Sequence, residues 1–175
     1  MSLLQIDPKK LVIQSTKLWD DQWLLLTTGD FAERKFNTMT VGWGSFGVMW
    51  SRPFAQVVVR PTRYTFEFMN KYDTFTLTAF PEKHRKALRL LGSQSGRDSD
   101  KITKAGLTPI ASAKIPSPAF REAELIIECQ KIYWDDFKPA NFLLPEIEKK
   151  YPEQDYHRIY FGEILAIQGI DKYRF

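Results

Sequence analysis

Side chains able to hold an anionic ligand gather in one stretch of this chain, Asn37 to Thr65. It opens with Asn37, Thr38, Met39 and Thr40, whose amide and hydroxyl groups can bond the polar edge of a ring. Glycines follow at Gly42, Gly44 and Gly47, flanked by Trp43 and Trp50. After Pro53 and the apolar run Val57, Val58, Val59, the stretch ends in Arg60, Thr62, Arg63, Tyr64 and Thr65. A further group, Ser93, Gln94, Ser95, Gly96 and Arg97, is followed closely by Lys101. Hydroxyls, cations and the free N–H groups of a helix start are what a phosphate requires. A tryptophan beside glycine backbone can stack near a ring. The pattern suits a flat, anionic cofactor, and flavin mononucleotide (FMN) meets that description.

Each group also has a plain structural role open to it. Asn37 and Thr40 suit a turn and a strand, and Arg63 and Tyr64 the first exposed turn of a helix. The glycines can mark a barrel corner, and the two tryptophans can pack beneath a loop. Only their order and company point to a site.

Other reactive residue types offer little. Asp135 and Asp136 are adjacent on an expected strand and so point to opposite faces, which disqualifies them as an acid–base pair. The two histidines, His84 and His157, have no acidic partner at motif spacing and read as surface residues. The single cysteine, Cys129, shares a strand face with Leu125 and Ile127 and reads as core. No catalytic residue and no metal site is assigned.

The elements that must position these groups follow from periodicity and punctuation. Trp23–Thr28 reads as a strand closed by Gly29-Asp30, and Phe36–Val41 as the next, leading into a turn at Gly42–Gly47. Pro53–Arg60 is a strand whose valine run implies burial on both faces. Thr62 is placed to N-cap a short helix from Arg63 to about Asn70. Asp73–Phe80 alternates Phe75, Leu77, Ala79 against Thr74, Thr76, Thr78, the pattern of a half-exposed strand. A helix from Pro81 to Leu91 is expected, with Gly92 as its C′ residue, and another over Ser99–Gly106. Residues 107–123, with Pro109, Pro116 and Pro118, read as a surface crossing. Long strands at Ala123–Asp136 and Arg158–Ile170 bracket a helix over Asn141–Lys150 disturbed by Pro145. Six or seven strands with short helices make a mainly β fold, an antiparallel, Greek-key β-barrel.

At 175 residues the chain is expected to be one domain, 1–175. Its net charge of +4 is spread along the sequence, which argues against a nucleic-acid partner and allows a basic pocket. No apolar run reaches the roughly 20 residues of a membrane span. With no leader-like segment and one cysteine, the expected location is cytoplasmic.

Asn37-Thr38-Met39-Thr40 with Gly42-Trp43, Pro53, Arg60 and Arg63-Tyr64-Thr65 resembles the flavin reductase-like family. More narrowly, it resembles the flavoredoxin branch of the FMN-binding split barrels. Ser95-Gly96-Arg97-Asp98 with Asp100-Lys101, and Tyr160-Phe161-Gly162-Glu163-Ile164, extend the resemblance over roughly residues 20–170. It implies a homodimer of split barrels, with non-covalent FMN near the subunit interface and hydride or electron transfer through the flavin. By the same resemblance Asn37, Thr38, Met39, Thr40 and Trp43 would line the flavin. Arg60, Thr62, Arg63, Tyr64 and Thr65 would serve its ring edge or phosphate, and Ser95, Gly96, Arg97 and Lys101 would approach the phosphate. The implied reductant is NADH, NADPH or a redox protein. The chain departs from nicotinamide-using members in having one proline, Pro53, where they often carry a pair. The competing reading is a flavin- or other ligand-binding split barrel without turnover.

Overall fold

The computed structural model describes residues 2–175. In chain order the elements are β1 (Leu4–Gln5), β2 (Leu24–Asp30), β3 (Lys35–Val41), β4 (Gly44–Met49), β5 (Arg52–Val59), α1 (Tyr64–Lys71), β6 (Thr74–Ala79), α2 (Arg85–Ser93), α3 (Lys101–Ala105), β7 (Pro109–Ile110), β8 (Ala119–Phe120), β9 (Leu125–Asp136), α4 (Pro145–Glu148) and β10 (Arg158–Gly169). The main sheet runs β3-β2-β6-β9-β10-β5-β4 with every pairing antiparallel, and β1 adds to the far end of β10. The edge strands β3 and β4 are separated by only Gly42 and Trp43 yet do not pair. One buried cluster nevertheless draws Leu26, Met39, Val57, Leu77, Ile127 and Tyr160 from strands across the whole sheet, with Phe46 of β4 packed on it. The sheet therefore closes around a core and remains split at β3/β4, a split barrel. No helix among the described residues is long and apolar enough to cross a membrane.

The valine run behaves as its composition dictates. Val57 and Val59 enter the core, while Val58 faces out at 6% exposure. The glycine-rich stretch does not form a turn. Gly44–Met49 is a strand paired to β5 from Gly44↔Val57 to Met49↔Arg52. The reversal comes later, at Trp50 and Ser51, with φ of 53° and 58°, both positive as a two-residue hairpin turn demands. Gly44 lies under Trp19, where a Cβ would come within 2.4 Å of the indole. That glycine serves packing rather than reversal.

β6 is not half-exposed. Thr76 Oγ1 donates to the Pro118 carbonyl at 2.7 Å, and Thr74 Oγ1 lies 2.8 Å from Ser117 Oγ. The proline-bearing segment 107–123 folds over this face instead of crossing the surface, burying Ile115, Ser117 and Phe120. It forms a second cluster with Leu25, Leu88, Leu91 and Ile126. Three helix boundaries also shift. Arg63, not Thr62, occupies the N-cap of α1, without a side-chain cap bond. α2 continues through Gly92, whose Cα packs against Thr40 so closely that a Cβ would lie 3.1 Å from that side chain. Pro145 opens α4 as its first residue, where its missing N–H leaves no bond unmade.

Candidate functional site

The split between β3 and β4 opens a trough. Where β3 ends, Thr40 and Gly42 are shared by two adjoining depressions. One, of about 240 Å³, is walled by Met39, Trp43, Val58, Arg60 and His157. The other, of about 510 Å³, is walled by Trp23, Leu88, Arg89, Gly92 and Ser93. Thr40 Oγ1 donates to the Leu88 carbonyl at 2.5 Å, which ties α2 to the strand forming the floor. Trp23 holds φ at 62°, a left-handed value for a bulky residue, with the Arg85 guanidinium 3.5 Å from its ring centre. Such an outlier marks a position held by its surroundings.

Trp43 is 51% exposed, with its ring centre 5.2 Å from that of His157. His157 is buried, which corrects its reading as a surface residue. Its Nδ1 lies 2.8 Å from Tyr151 Oη. Burial, and secondarily the Arg60 charge, pull its pKa down to about 4, so the imidazole is neutral at ordinary pH. Arg60 itself is committed. Its Nη1 meets both Asp155 carboxylate oxygens at 2.7 and 2.8 Å, and its Nη2 donates to the Lys150 carbonyl at 2.8 Å. The hydrogen bond from Arg60 holds the Asp155 carboxyl below its ordinary value against a smaller opposing effect of burial.

Past α2 the electrostatics change. Lys101, 3% exposed, donates from Nζ to the carbonyls of Leu91 and Gln94, each at 3.0 Å. Arg63 donates to the Gly92 carbonyl. Among the described residues neither cation has a carboxylate within ion-pairing distance. Burial and then the Arg63 charge pull Lys101 down to about 8, while burial and then Arg60 lower Arg63. The negative end of the α2 dipole offsets part of this charge. Donor capacity remains, since a guanidinium carries five N–H bonds and an ammonium three.

The other expected site residues divide. Thr38 lies on the outer face of β3 and is used internally, its Oγ1 donating to Leu26 O at 3.1 Å. Asn37 and Met39 occupy the opposite face, so the four consecutive residues do not converge. Asn37 Nδ2 donates to Thr65 Oγ1 at 2.8 Å, within a second cavity that Tyr64 and Gly96 also line. The Thr62 carbonyl accepts from the Arg97 guanidinium, and Ser95 Oγ accepts from the Arg97 N–H. The Arg97 guanidinium pairs with Glu67 and lies 4.9 Å from the Tyr64 ring centre. The structure thus brings together Met39, Thr40, Trp43 and Arg60 at the trough, and Arg63 with Lys101 beside it. Gly42 and Ser93 join them from the expected glycine and serine groups, and the structure adds Trp23, Val58 and His157, which no sequence spacing ties to one place.

Nothing in the trough is built for nucleophilic or metal chemistry. Cys129 is fully buried, and burial followed by the Glu128 charge pushes its thiol well above the ordinary value. No cluster of ligating side chains able to hold a metal occurs among the described residues. What the site offers is an aromatic and glycine-lined slot, with two partly dehydrated cations, Arg63 and Lys101, bonded to carbonyls of its α2 wall.

A family model described as the flavin reductase like domain matches residues 22–173. Among solved structures, an FMN-binding domain of a flavin reductases-like enzyme from Shewanella baltica superposes with a TM-score of 0.69 at 16% identity, covering 95% of this chain and 76% of that one. The flavoredoxin of Desulfovibrio vulgaris gives a TM-score of 0.67 at 19% identity, covering 92% and 75%. An NADH:FAD oxidoreductase from Streptomyces globisporus gives 0.64 at 15% identity, covering 86% and 76%. No curated protein matches the chain. At such identities the structural likeness is one of fold.

Proposed function

The chain belongs to the flavin reductase like domain family, and from that premise we propose that it is an oxidoreductase holding FMN non-covalently in the β3/β4 trough. The observation that carries this reading is the Arg63–Lys101 pair. Two partly dehydrated cations without a carboxylate donate to the carbonyls of Leu91, Gly92 and Gln94 beside the trough wall that Gly92 and Ser93 form, and a buried charge without a counter-ion gains from an anion that completes the site. The donor set fits a phosphate, and Trp23, Trp43 and Gly42 fit the edge and face of a planar ring.

In this reading Arg63 and Lys101 bind the phosphate, and Thr40 with Gly42 shapes the floor under the ring. Trp43, held by His157, limits water on one side. His157 is neutral, so it adds no charge beside the ring. Arg60 is a clasp that fixes residues 150–157 rather than a phosphate ligand. Bound flavin supplies the redox chemistry, taking up hydride or electrons and passing them on.

The same reading makes the protein a homodimer. Phe54, Trp50, Tyr133 and Phe161 form an aromatic cluster on the outer face of β5, β9 and β10, with centres 5.3–6.3 Å apart. Trp50 is 58% exposed and the nearby Val48 74%. Phe54 and Val58 share one face of β5, so a second copy seated on this cluster would also wall the trough. Exposed apolar clusters of this kind mark interaction surfaces. Sedimentation should give a dimer; a monomer that still binds FMN removes this part of the proposal.

The deciding experiment is anaerobic titration of the protein with FMN, then with NADH or NADPH, followed by absorbance. Uptake of FMN with bleaching by nicotinamide supports a reductase. A bound flavin that only a protein donor reduces supports an electron carrier of the flavoredoxin type. Failure to bind FMN overturns the proposal.

A further inference from the structure

The imidazole of His157 is bonded on one side only. It lines the depression of about 240 Å³ that Trp43 and Val58 also wall. Its Nδ1 lies 2.8 Å from Tyr151 Oη, and among the described residues no hydrogen bond reaches its Nε2. The side-chain polar atoms fully enclosed without a partner are, among the described residues, Trp19 Nε1 and Thr78 Oγ1. His157 Nε2 is therefore unpaired yet still accessible, and the open space beside this buried ring is the depression.

Tyr151 decides which of the two nitrogens carries the hydrogen. The tyrosine is 4% exposed, and among the described residues His157 Nδ1 is the one hydrogen-bond partner of its hydroxyl. Burial holds the phenol protonated, its pKa above the ordinary value despite the Arg60 charge. Were the hydrogen on Nδ1, the enclosed hydroxyl would keep a proton with no acceptor. With the hydroxyl donating, Nδ1 accepts and the hydrogen sits on Nε2, where water or a ligand can meet it. The pair is clamped in place. Phe142 stacks on Tyr151 at 5.8 Å with 20° between the planes, and the Arg60 guanidinium lies 4.8 Å from the same ring centre. The Phe137 N–H donates to the His157 carbonyl at 3.0 Å.

We infer that Tyr151 is a positioning residue that fixes His157 as an Nε2–H donor facing the depression, where it meets a carbonyl oxygen of the bound flavin ring. The contact with the ring rests on the flavin reading; the tautomer does not. This donor carries no charge at pH 7, because burial, and secondarily Arg60, keep the imidazole neutral. It favours a carbonyl or ring-nitrogen acceptor and opposes a group that presents its own N–H. Nε2–H should also hold the ring more tightly once electrons have made that edge more negative.

The test is nitrogen–proton correlation NMR on isotope-labelled protein at pH 7. In the free protein His157 should carry its hydrogen on Nε2 with Nδ1 as an acceptor. Tyr151→Phe should turn this into a mixture of both tautomers while the far-UV spectrum stays unchanged. Saturating FMN should shift the His157 Nε2–H signal and leave that of His84, outside the trough, in place. In fluorescence titrations Tyr151→Phe and His157→Phe should weaken FMN by about three- to tenfold. His157→Gln, which keeps an N–H donor, should lose less than His157→Phe, and the loaded Tyr151→Phe protein should show a more negative flavin potential. A hydrogen on Nδ1 in the free protein, or a tautomer that Tyr151→Phe leaves unmoved, overturns the role of Tyr151. Bound FMN with an unmoved Nε2–H signal overturns the contact. Absence of FMN binding removes the flavin reading and the contact together, while the free-protein spectrum still decides the role of Tyr151.

Discussion

Arg60 and Arg63 are three residues apart, follow the same strand, and read alike in sequence, yet they meet opposite surroundings. Arg60 is closed by Asp155 and the Lys150 carbonyl, and its charge is satisfied within the fold. Arg63 lies next to Lys101 with only helix carbonyls for company, and both cations are pulled below their ordinary values. The difference teaches that a cation's availability depends on what the rest of the chain brings to it. Residues 150–157, nearly a hundred positions away, settle the matter for Arg60.

Breaking the open pair should have the largest effect. Arg63→Ala with Lys101→Ala should weaken FMN by about a thousandfold, since each charge-assisted hydrogen bond contributes about 1.5–3 kcal/mol. Riboflavin, which lacks the phosphate, should lose far less in the same fluorescence titration. Equal losses for both ligands would place the cations elsewhere than at a phosphate.

Acid should act next, through His157 beside the closed clasp. Its folded pKa of about 4 is below the ordinary 6.5, so between these values the unfolded chain binds more protons and stability falls as pH drops. The loss should approach about 3 kcal/mol at full development. Urea unfolding at pH 7 and pH 4.5 checks it, and His157→Phe should flatten the dependence.

Opening the clasp comes third. Arg60→Ala leaves Asp155 without its partner in a half-buried site and should cost about 1–2 kcal/mol of stability, read as a lower urea midpoint. Its effect on FMN affinity should be smaller than that of Arg63→Ala. The reverse ranking would interchange the roles given to the two arginines.

The smallest effect is the pH dependence of binding. Lys101 loses its proton near pH 8 in the free protein, so above that pH phosphate binding must take up a proton and FMN affinity should fall. Going from pH 8 to pH 9 should cost up to about tenfold. Riboflavin affinity should stay flat, and Lys101→Met should remove the dependence.

Much of this molecule was legible from local pattern. The valine run, the long strands β9 and β10, the capped helix α3 with Asp100 at its start and Gly106 in the left-handed region, and the core role of Cys129 all follow from periodicity and caps. Alternation in β6 is real, but the exposure it implies is not, since Thr74, Thr76 and Thr78 are all buried. A threonine face looks the same whether water or the Pro118 carbonyl meets it. Likewise Gly44 and Gly92 carry no mark of their purpose, because the groups that require them, Trp19 and Thr40, are distant in sequence.

By itself the sequence determined which segments alternate, which end, and which carry donors and cations, since those properties reside in neighbouring residues. Tertiary structure alone decided which donors remain free. It turned Asn37 away from Thr40 across the pleat, buried His157 under Trp43, neutralised Arg60, and left Arg63 and Lys101 without a carboxylate. The physical reason is that charge and hydrogen-bond satisfaction depend on distance through space, and burial magnifies each unmet group.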